Sequence, residues 1–120
     1  MTIAAVHHIA LRTDDLQILT EYYRDRLGLS EHSRKLDEHG VLRAVWLVLG
    51  SAVLMIEKRG AHEPTIPANS LELLAFSVAT EALDAWAERL APLESRTAFT
   101  LYARDPDGRR VAVSCYPLTG

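Results

Sequence analysis

The stretch of sequence that decides the fold is residues 6–29, which read VHHIALRTDDLQILTEYYRDRLGL. Its first six residues are apolar or β-branched apart from two histidines, and they predict a β-strand. Side chains alternate between the two faces of a strand, so Ile9 and Leu11 share one face with His7, and His8 points to the other. A helix that follows this strand can cover only one face. We expect it to cover the apolar one.

The second part of the stretch predicts that helix. Thr13, Asp14 and Asp15 provide side-chain oxygens that can cap its N-terminus, and the two aspartates suit the helix dipole. Gly28 ends it, as glycine commonly does after the last helical turn. The apolar residues between these signals recur at helical spacing, and they are Leu16, Leu19, Tyr23 and Leu27. The helix therefore covers the apolar face of the strand and leaves His8 on the other.

The remaining sequence adds three strands and then repeats the whole pattern. The first-half strands are predicted at residues 30–38 (an edge strand or a loop), 41–49 and 52–58. After a Pro- and Gly-containing linker at 59–69, the second half is predicted to contain a helix at 80–90 capped by Thr80, and strands at 71–78, 94–97, 98–104 and 109–116. We therefore predict a single domain over residues 1–120, in which two βαβββ modules span residues 1–58 and 70–120.

The composition fits one globular domain and excludes several classes of function. The 120 residues carry a formal net charge of −3, which excludes the basic surface that nucleic acid needs. The longest apolar run, residues 44–49, is too short to span a bilayer. The N-terminus lacks the pattern of a signal peptide, and Cys115 is the single cysteine. These features predict a cytoplasmic protein without nucleic-acid or membrane partners.

Two motifs of this sequence resemble those of one protein family. The opening HHIALRTDDLQILTEYYRDRLGL and the closing RDPDGRRVAV are similar to the first and last motifs of the vicinal oxygen chelate superfamily. That superfamily includes glyoxalase I, bleomycin-resistance proteins, fosfomycin-resistance enzymes and extradiol dioxygenases. The resemblance spans the chain and implies an α+β fold, with two βαβββ modules forming a cupped mixed sheet and helices on its outer face. It does not fix a reaction, because one fold hosts many chemistries.

The resemblance also implies where a metal site would lie. Metal-dependent members of the superfamily carry one ligand on the first and one on the last strand of each module, and these positions fall here on His8, Met55, Leu73 and Ala112. Glu57, two residues after Met55 on the same face, is a second candidate in the first module. Leucine and alanine have no donor atoms, so we predict no tightly bound metal. The alternative is a divalent ion such as Zn, Ni, Mn or Fe on His8 and Glu57.

Strand alternation places six candidate ligand-binding residues on the uncovered sheet face: His8, Met55, Glu57, Leu73, Ala112 and Ser114. An apolar wall with a few polar groups is the usual composition of a small-molecule site. Structural alternatives remain for several of them. His8 can be a buried, hydrogen-bonded histidine, Glu57 a solvated charge, and Met55 or Leu73 plain core.

Two main classes of function are consistent with this face. The first is a protein whose cup binds a small organic molecule without a complete metal site, as drug-sequestering members of the family do. The second is an enzyme, namely a lyase, isomerase or dioxygenase, that uses His8 and Glu57 with a divalent metal or as an acid–base pair. A third is a subunit or regulatory domain without a ligand. The apolar residues Met55, Leu73 and Ala112 favour the first class. The family resemblance also implies a homodimer, because two chains often complete the cup.

Overall fold

The computed structural model describes residues 1–67 and 69–118, in two compact units divided after Pro64. The division lies within the predicted linker at 59–69; residue 68 of that linker and residues 119–120 of the second module lie outside the described residues. Each unit contains one open four-stranded mixed sheet and an α-helix that contacts it, which confirms the predicted α+β fold. No helix in the described ranges is long and apolar enough to cross a membrane.

The first unit has the predicted order β-α-β-β-β. β1 is His8–Thr13, and α1 is Leu16–Glu21, continued by a wider π-helical turn at Tyr22–Arg26. The other strands are β2 Glu31–Leu36, β3 Leu42–Leu49 and β4 Ala52–Lys58. The carboxylate of Asp15 accepts a hydrogen bond of 3.1 Å from the amide N–H of Ile18, so Asp15 is the residue that caps α1.

The register of the first sheet decides which side chains share a face. Its strand order is β1-β4-β3-β2, with β1 parallel to β4 and the other pairs antiparallel. Ile9 pairs with Leu54, and His8 pairs with Val53. Five residues of the Ile9 face on β3 and β4 are buried, namely Val45, Leu47, Ala52, Leu54 and Ile56. Because α1 contacts these two strands, α1 covers this face as predicted. We call the opposite face, which carries His8, the first open face.

The second unit repeats the arrangement. Its elements are β5 Leu73–Ser77, a 3₁₀ turn Thr80–Ala82, α2 Leu83–Leu90, β6 Ser95–Arg96, β7 Thr100–Arg104 and β8 Arg110–Ser114. The strand order is β5-β8-β7-β6, with β5 parallel to β8. Leu101, Val111 and Val113 are buried on one side, and α2 contacts β7. We call the other side, which carries Leu73 and Ala112, the second open face.

Residues 105–108 form a tight turn before β8. The carbonyl of Asp105 accepts a hydrogen bond of 2.8 Å from the amide of Gly108, whose φ of +88° favours glycine. The carboxylate of Asp105 is buried and accepts hydrogen bonds from the amides of Asp107 and Arg109. It therefore holds the turn that sets the start of β8.

Three local predictions, two in the first unit and one in the second, are wrong. β1 begins at His8 and not at Val6, because its start is set by pairing with β4, which begins at Ala52. His7 was expected on the helix-covered face, but it precedes the strand and is exposed. Thr80 does not cap a helix; it lies in the 3₁₀ turn that precedes α2, where no side chain provides a cap.

Candidate functional site

The first open face brings together the three residues predicted in the first module. Because His8 pairs with Val53, Met55 with Ala10 and Glu57 with Arg12, all of these side chains lie on one side of the parallel β1–β4 pair. His8 is exposed, whereas Met55 and Glu57 are half-buried. The buried-histidine alternative does not describe His8, and Glu57 is a partly solvated charge.

His8 has a neighbour that alternation did not predict. Its Nδ1 lies 2.9 Å from the Nδ1 of His7, with the two rings in an edge-to-face arrangement. One of the two Nδ1 atoms donates this hydrogen bond and the other accepts it. The Nε2 of His8 is therefore the ring nitrogen that remains for a ligand.

Glu57 is held by an ion pair. Its Oε1 lies 3.6 Å from the Nε of Arg12, whose Nη1 also donates to both carboxylate oxygens of Glu63 at 3.1 and 3.2 Å. One guanidinium thus lies between two carboxylates, with a summed formal charge of −1. We call Arg12, Glu57 and Glu63 the acidic triad.

The strand register tests whether His8 and Glu57 fit a shared metal ion, and they do not. His8 pairs with Val53, four residues before Glu57 on β4, a separation of about 13 Å along the strand at roughly 3.3 Å per residue. Two ligands of one ion each lie about 2 Å from it. The described residues contain no group of three or more His, Cys, Asp or Glu side chains that could hold a metal ion.

Trp46 supplies the largest ring of the first open face. It pairs with Met55 across β3 and β4, and the ammonium of Lys35 lies 4.3 Å from its ring centre. Its indole N–H is buried and has no hydrogen-bond partner among the residues that the structure describes. A buried donor of this kind is rare in folded proteins. The first open face therefore offers an aromatic wall with an unpaired donor.

The second open face carries the other three predicted residues. Leu73 is 41% exposed, whereas Ala112 is only 1% exposed. The hydroxyl of Ser114 lies 2.7 Å from that of Thr100, so it already has a partner. The strand partner of Leu73 is Arg110, and that of Ala112 is Ala75. No pair of metal ligands lies side by side at these positions, and the permanently charged guanidinium of Arg110 has no lone pair to offer a metal.

Three charged side chains and the ring of Tyr102 lie on the second open face, beside Leu73 and Ala112. The carboxylate of Glu94 is paired with Arg104 through two hydrogen bonds and accepts a third, of 3.1 Å, from the Nε of Arg110. The Cζ atom of Arg110 lies 4.2 Å from the ring centre of Tyr102. One carboxylate lies between two guanidiniums, so the summed formal charge is +1. We call Glu94, Arg104 and Arg110 the basic triad.

The two arginines of the basic triad differ in the donors that remain. Arg104 also donates from Nη1 to the carbonyls of Ser70 and Gly108, at 2.8 and 3.2 Å, so all of its nitrogens are engaged. Arg110 donates only from Nε, and no acceptor among the described residues lies on Nη1 or Nη2. The hydrogen bond from Arg104 is the main cause that lowers the pKa of Glu94 below its ordinary value. Burial raises this pKa, and the hydrogen bond from Arg110 lowers it further. Glu94 is therefore a carboxylate at neutral pH.

A cavity of about 260 Å³ lies on the other side of the first sheet, away from the open face. It is bounded by one stripe of the helical segment, Leu16, Thr20 and Arg24, and by Arg34 of β2 and Val45 of β3. Because α1 contacts β3 and β4, a gap remains towards the outer strand β2. The pattern of the sequence does not predict this cavity.

The charges beside this cavity neutralise one another. Arg24 pairs with Asp25 at 2.8 Å, and Arg34 pairs with Glu31 at 2.9 Å. The hydrogen bond from Arg34 is the main cause that lowers the pKa of Glu31. These pairs leave no surplus cation of the kind seen in the basic triad.

A family model establishes where this chain belongs. The model of the Glyoxalase/Bleomycin resistance protein/Dioxygenase superfamily matches residues 5–113. The chain belongs to this superfamily. The resemblance inferred from the opening and closing motifs is thereby confirmed. No match was found among curated proteins.

Several solved structures have the same fold as this chain. The fosfomycin resistance protein FosX from Listeria monocytogenes is 18% identical, with a TM-score of 0.80 over 98% of this chain and 95% of that one. Lactoylglutathione lyase from Agrobacterium tumefaciens is 26% identical, with a TM-score of 0.70 over 95% of each chain. A glyoxalase/dioxygenase from Nostoc punctiforme is 21% identical, with a TM-score of 0.73 over 95% of this chain and 92% of that one. A mutant of the Listeria protein has been solved with Mn(II) and 1S,2S-dihydroxypropylphosphonic acid.

Sequence reasoning missed the charged residues of the second open face. Arg110 could have been found, because it has the same strand parity as Ala112. Glu94 and Tyr102 could not, because their closeness to Arg110 depends on the pairing of β6, β7 and β8.

Proposed function

We propose that this superfamily member binds a small organic molecule on the open faces of its sheets, without a complete protein-held metal site. The observation that supports it best is the composition of these faces. Each lies opposite the helix of its own unit and mixes apolar side chains, such as Met55 and Leu73, with a few placed polar groups. Small-molecule sites have this composition, whereas a packed core excludes such charges.

The first experiment places a large side chain on the second open face. Ala75 is exposed and pairs with buried Ala112, so Ala75→Trp blocks the face without filling packed core. Ala85→Trp, on the exposed side of α2, is the matched control. Freshly purified protein is denatured, and the released small molecules are identified by mass spectrometry. We expect a molecule that co-purifies with the wild type and the control to be lost from Ala75→Trp. Equal retention in all three proteins would contradict the proposal.

A metal-dependent lyase, isomerase or dioxygenase built on His8 and Glu57 is the alternative function. The separation of these residues along β1 and β4 does not favour it, and neither does Arg110 opposite Leu73. Elemental analysis tests the alternative directly. We expect well below one zinc, nickel, manganese or iron atom per chain, and a stoichiometric metal lost on His8→Gln would establish the alternative.

We also propose a cytoplasmic homodimer. The sheet orders leave β1 and β2 of the first unit and β5 and β6 of the second as edge strands, and such edges tend to be covered. Light scattering should give twice the chain mass of 13.4 kDa at micromolar concentration. A monomer mass under these conditions would refute the dimer but not the binding proposal.

A further inference from the structure

We infer that the ligand of the second open face is a small organic oxyanion, bound by Arg110 on its Tyr102 platform. This inference rests on the proposed function and specifies the chemical class of the ligand. It concerns only residues of the second unit. A carboxylate and a phosphonate share the required chemistry, which is at least two acceptor oxygens that carry a negative charge.

The first observation that supports this inference is the surplus positive charge of the basic triad. Arg104 and Arg110 are direct partners across β7 and β8, an arrangement in which like charges repel. Glu94 compensates only one of the two positive charges. An anion that contacts Arg110 would compensate the other.

The second observation is that Arg110 has N–H groups available to donate hydrogen bonds to a ligand. The Nη1 and Nη2 groups of Arg110 have no acceptor among the described residues, and the pair can bind a carboxylate or phosphonate with two parallel hydrogen bonds. The side chain of Arg110 is only 18% exposed. Partial burial weakens the competition from water, so each of these hydrogen bonds counts for more than on an open surface.

The third observation is that the guanidinium of Arg110 is already held in place before a ligand binds. The Nε bond to Glu94 and the stacking on Tyr102 fix the guanidinium from two sides. A fixed side chain loses little conformational freedom on binding, which favours affinity. The apolar side chains of Leu73 and Ala75 lie on the same face, and Leu73 is the direct partner of Arg110. They would contact the carbon skeleton of the ligand.

The experiment compares benzoate with benzamide, which have nearly the same shape and differ in charge. Binding of each is measured by NMR titration at millimolar concentration. We expect benzoate to bind about 10-fold more tightly than benzamide, as a charge-assisted bidentate pair requires. Arg110→Gln should abolish that preference. Phenylphosphonate, used in place of benzoate, shows which oxyanion is preferred.

Two variants separate this effect from a general change in charge or folding. Arg43→Gln removes one positive charge at an exposed position of β3 and should leave the preference intact. Glu94→Gln keeps an amide oxygen that can accept the Nε bond of Arg110 but removes the competing negative charge. It should therefore tighten benzoate binding several-fold, in the direction opposite to Arg110→Gln. An increase cannot result from unfolding, so it supports the inference even if Arg110→Gln proves unstable.

The outcomes distinguish the inference from the proposed function. If both compounds bind equally and Ala75→Trp blocks both, the open face binds ligands but the oxyanion inference is wrong. If neither compound binds, the oxyanion inference is wrong, and the co-purification experiment still decides the proposed function. If Ala75→Trp changes neither the binding of these compounds nor the co-purified molecule, both proposals are wrong. If Arg43→Gln and Arg110→Gln weaken benzoate binding equally, the effect is one of net charge and the inference is also wrong.

Discussion

The two open faces belong to sheets with the same strand order, but their charged clusters have net charges of opposite sign. In the acidic triad one arginine, Arg12, lies between two carboxylates. In the basic triad one carboxylate, Glu94, lies between two arginines. The comparison shows that the βαβββ repeat fixes which positions face the same way, while the side chains at those positions set the chemistry. Oxyanions should therefore prefer the second open face.

The largest expected effects concern the faces under the helices, where the two units should behave alike. Leu54 and Leu101 are fully buried, one in each sheet, and replacing either with Ala should lower the free energy of unfolding by about 2–5 kcal/mol. On the second open face, Leu73→Ala should cost less than about 1 kcal/mol, because the residue is 41% exposed. Urea unfolding measures all three. An equal loss for Leu73 and Leu101 would mean that the open face is packed core.

Neutralising one carboxylate in each triad should have unequal effects on the free energy of unfolding. Glu57→Gln leaves Arg12 paired with Glu63 and should change the free energy of unfolding by about 0.5 kcal/mol or less. Glu94→Gln leaves Arg104 and Arg110 facing each other without a countercharge, so it should destabilise more. Added benzoate should restore stability in Glu94→Gln. Equal losses that benzoate does not change would remove the distinction between the triads.

The order of elements could be predicted from the sequence because local signals agree there. β4 was predicted with its observed bounds, since the Gly50-Ser51 turn precedes it and its side chains alternate cleanly. The start of β1 was missed because it depends on a parallel partner more than forty residues away, which local propensity does not reveal.

The candidate site was predictable only in part, for a similar reason. Alternation correctly grouped His8 with Met55 and Glu57, because parity needs no knowledge of the partner strand. The ion pairs did not follow from parity. Glu63 reaches Arg12 from the linker, and Glu94 reaches Arg110 from before β6, so both contacts require the tertiary fold.

A smaller effect should appear in the pH dependence of stability. The pKa of Glu94 is lower in the folded protein than its ordinary value of about 4.3 in an unfolded chain. Its stabilising contribution is therefore complete above that value and is lost as the pH falls through the folded pKa. Chemical unfolding between neutral pH and about pH 3 should show a steeper loss for the wild type than for Glu94→Gln. Parallel curves would show that Glu94 is not held as a carboxylate by the two arginines.

Mapping the binding of benzoate by NMR tests the central claim most directly. Amide chemical shifts of the ¹⁵N-labelled chain are recorded as benzoate is added, with benzamide as the uncharged control. We expect benzoate to change the amide chemical shifts of the second open face and to leave those of Arg12 and Glu57 unchanged. The residues expected to shift are Ala75, Tyr102, Arg110 and Ala112. Shifts centred on the acidic triad, or on the cavity beside Thr20, would contradict the claim.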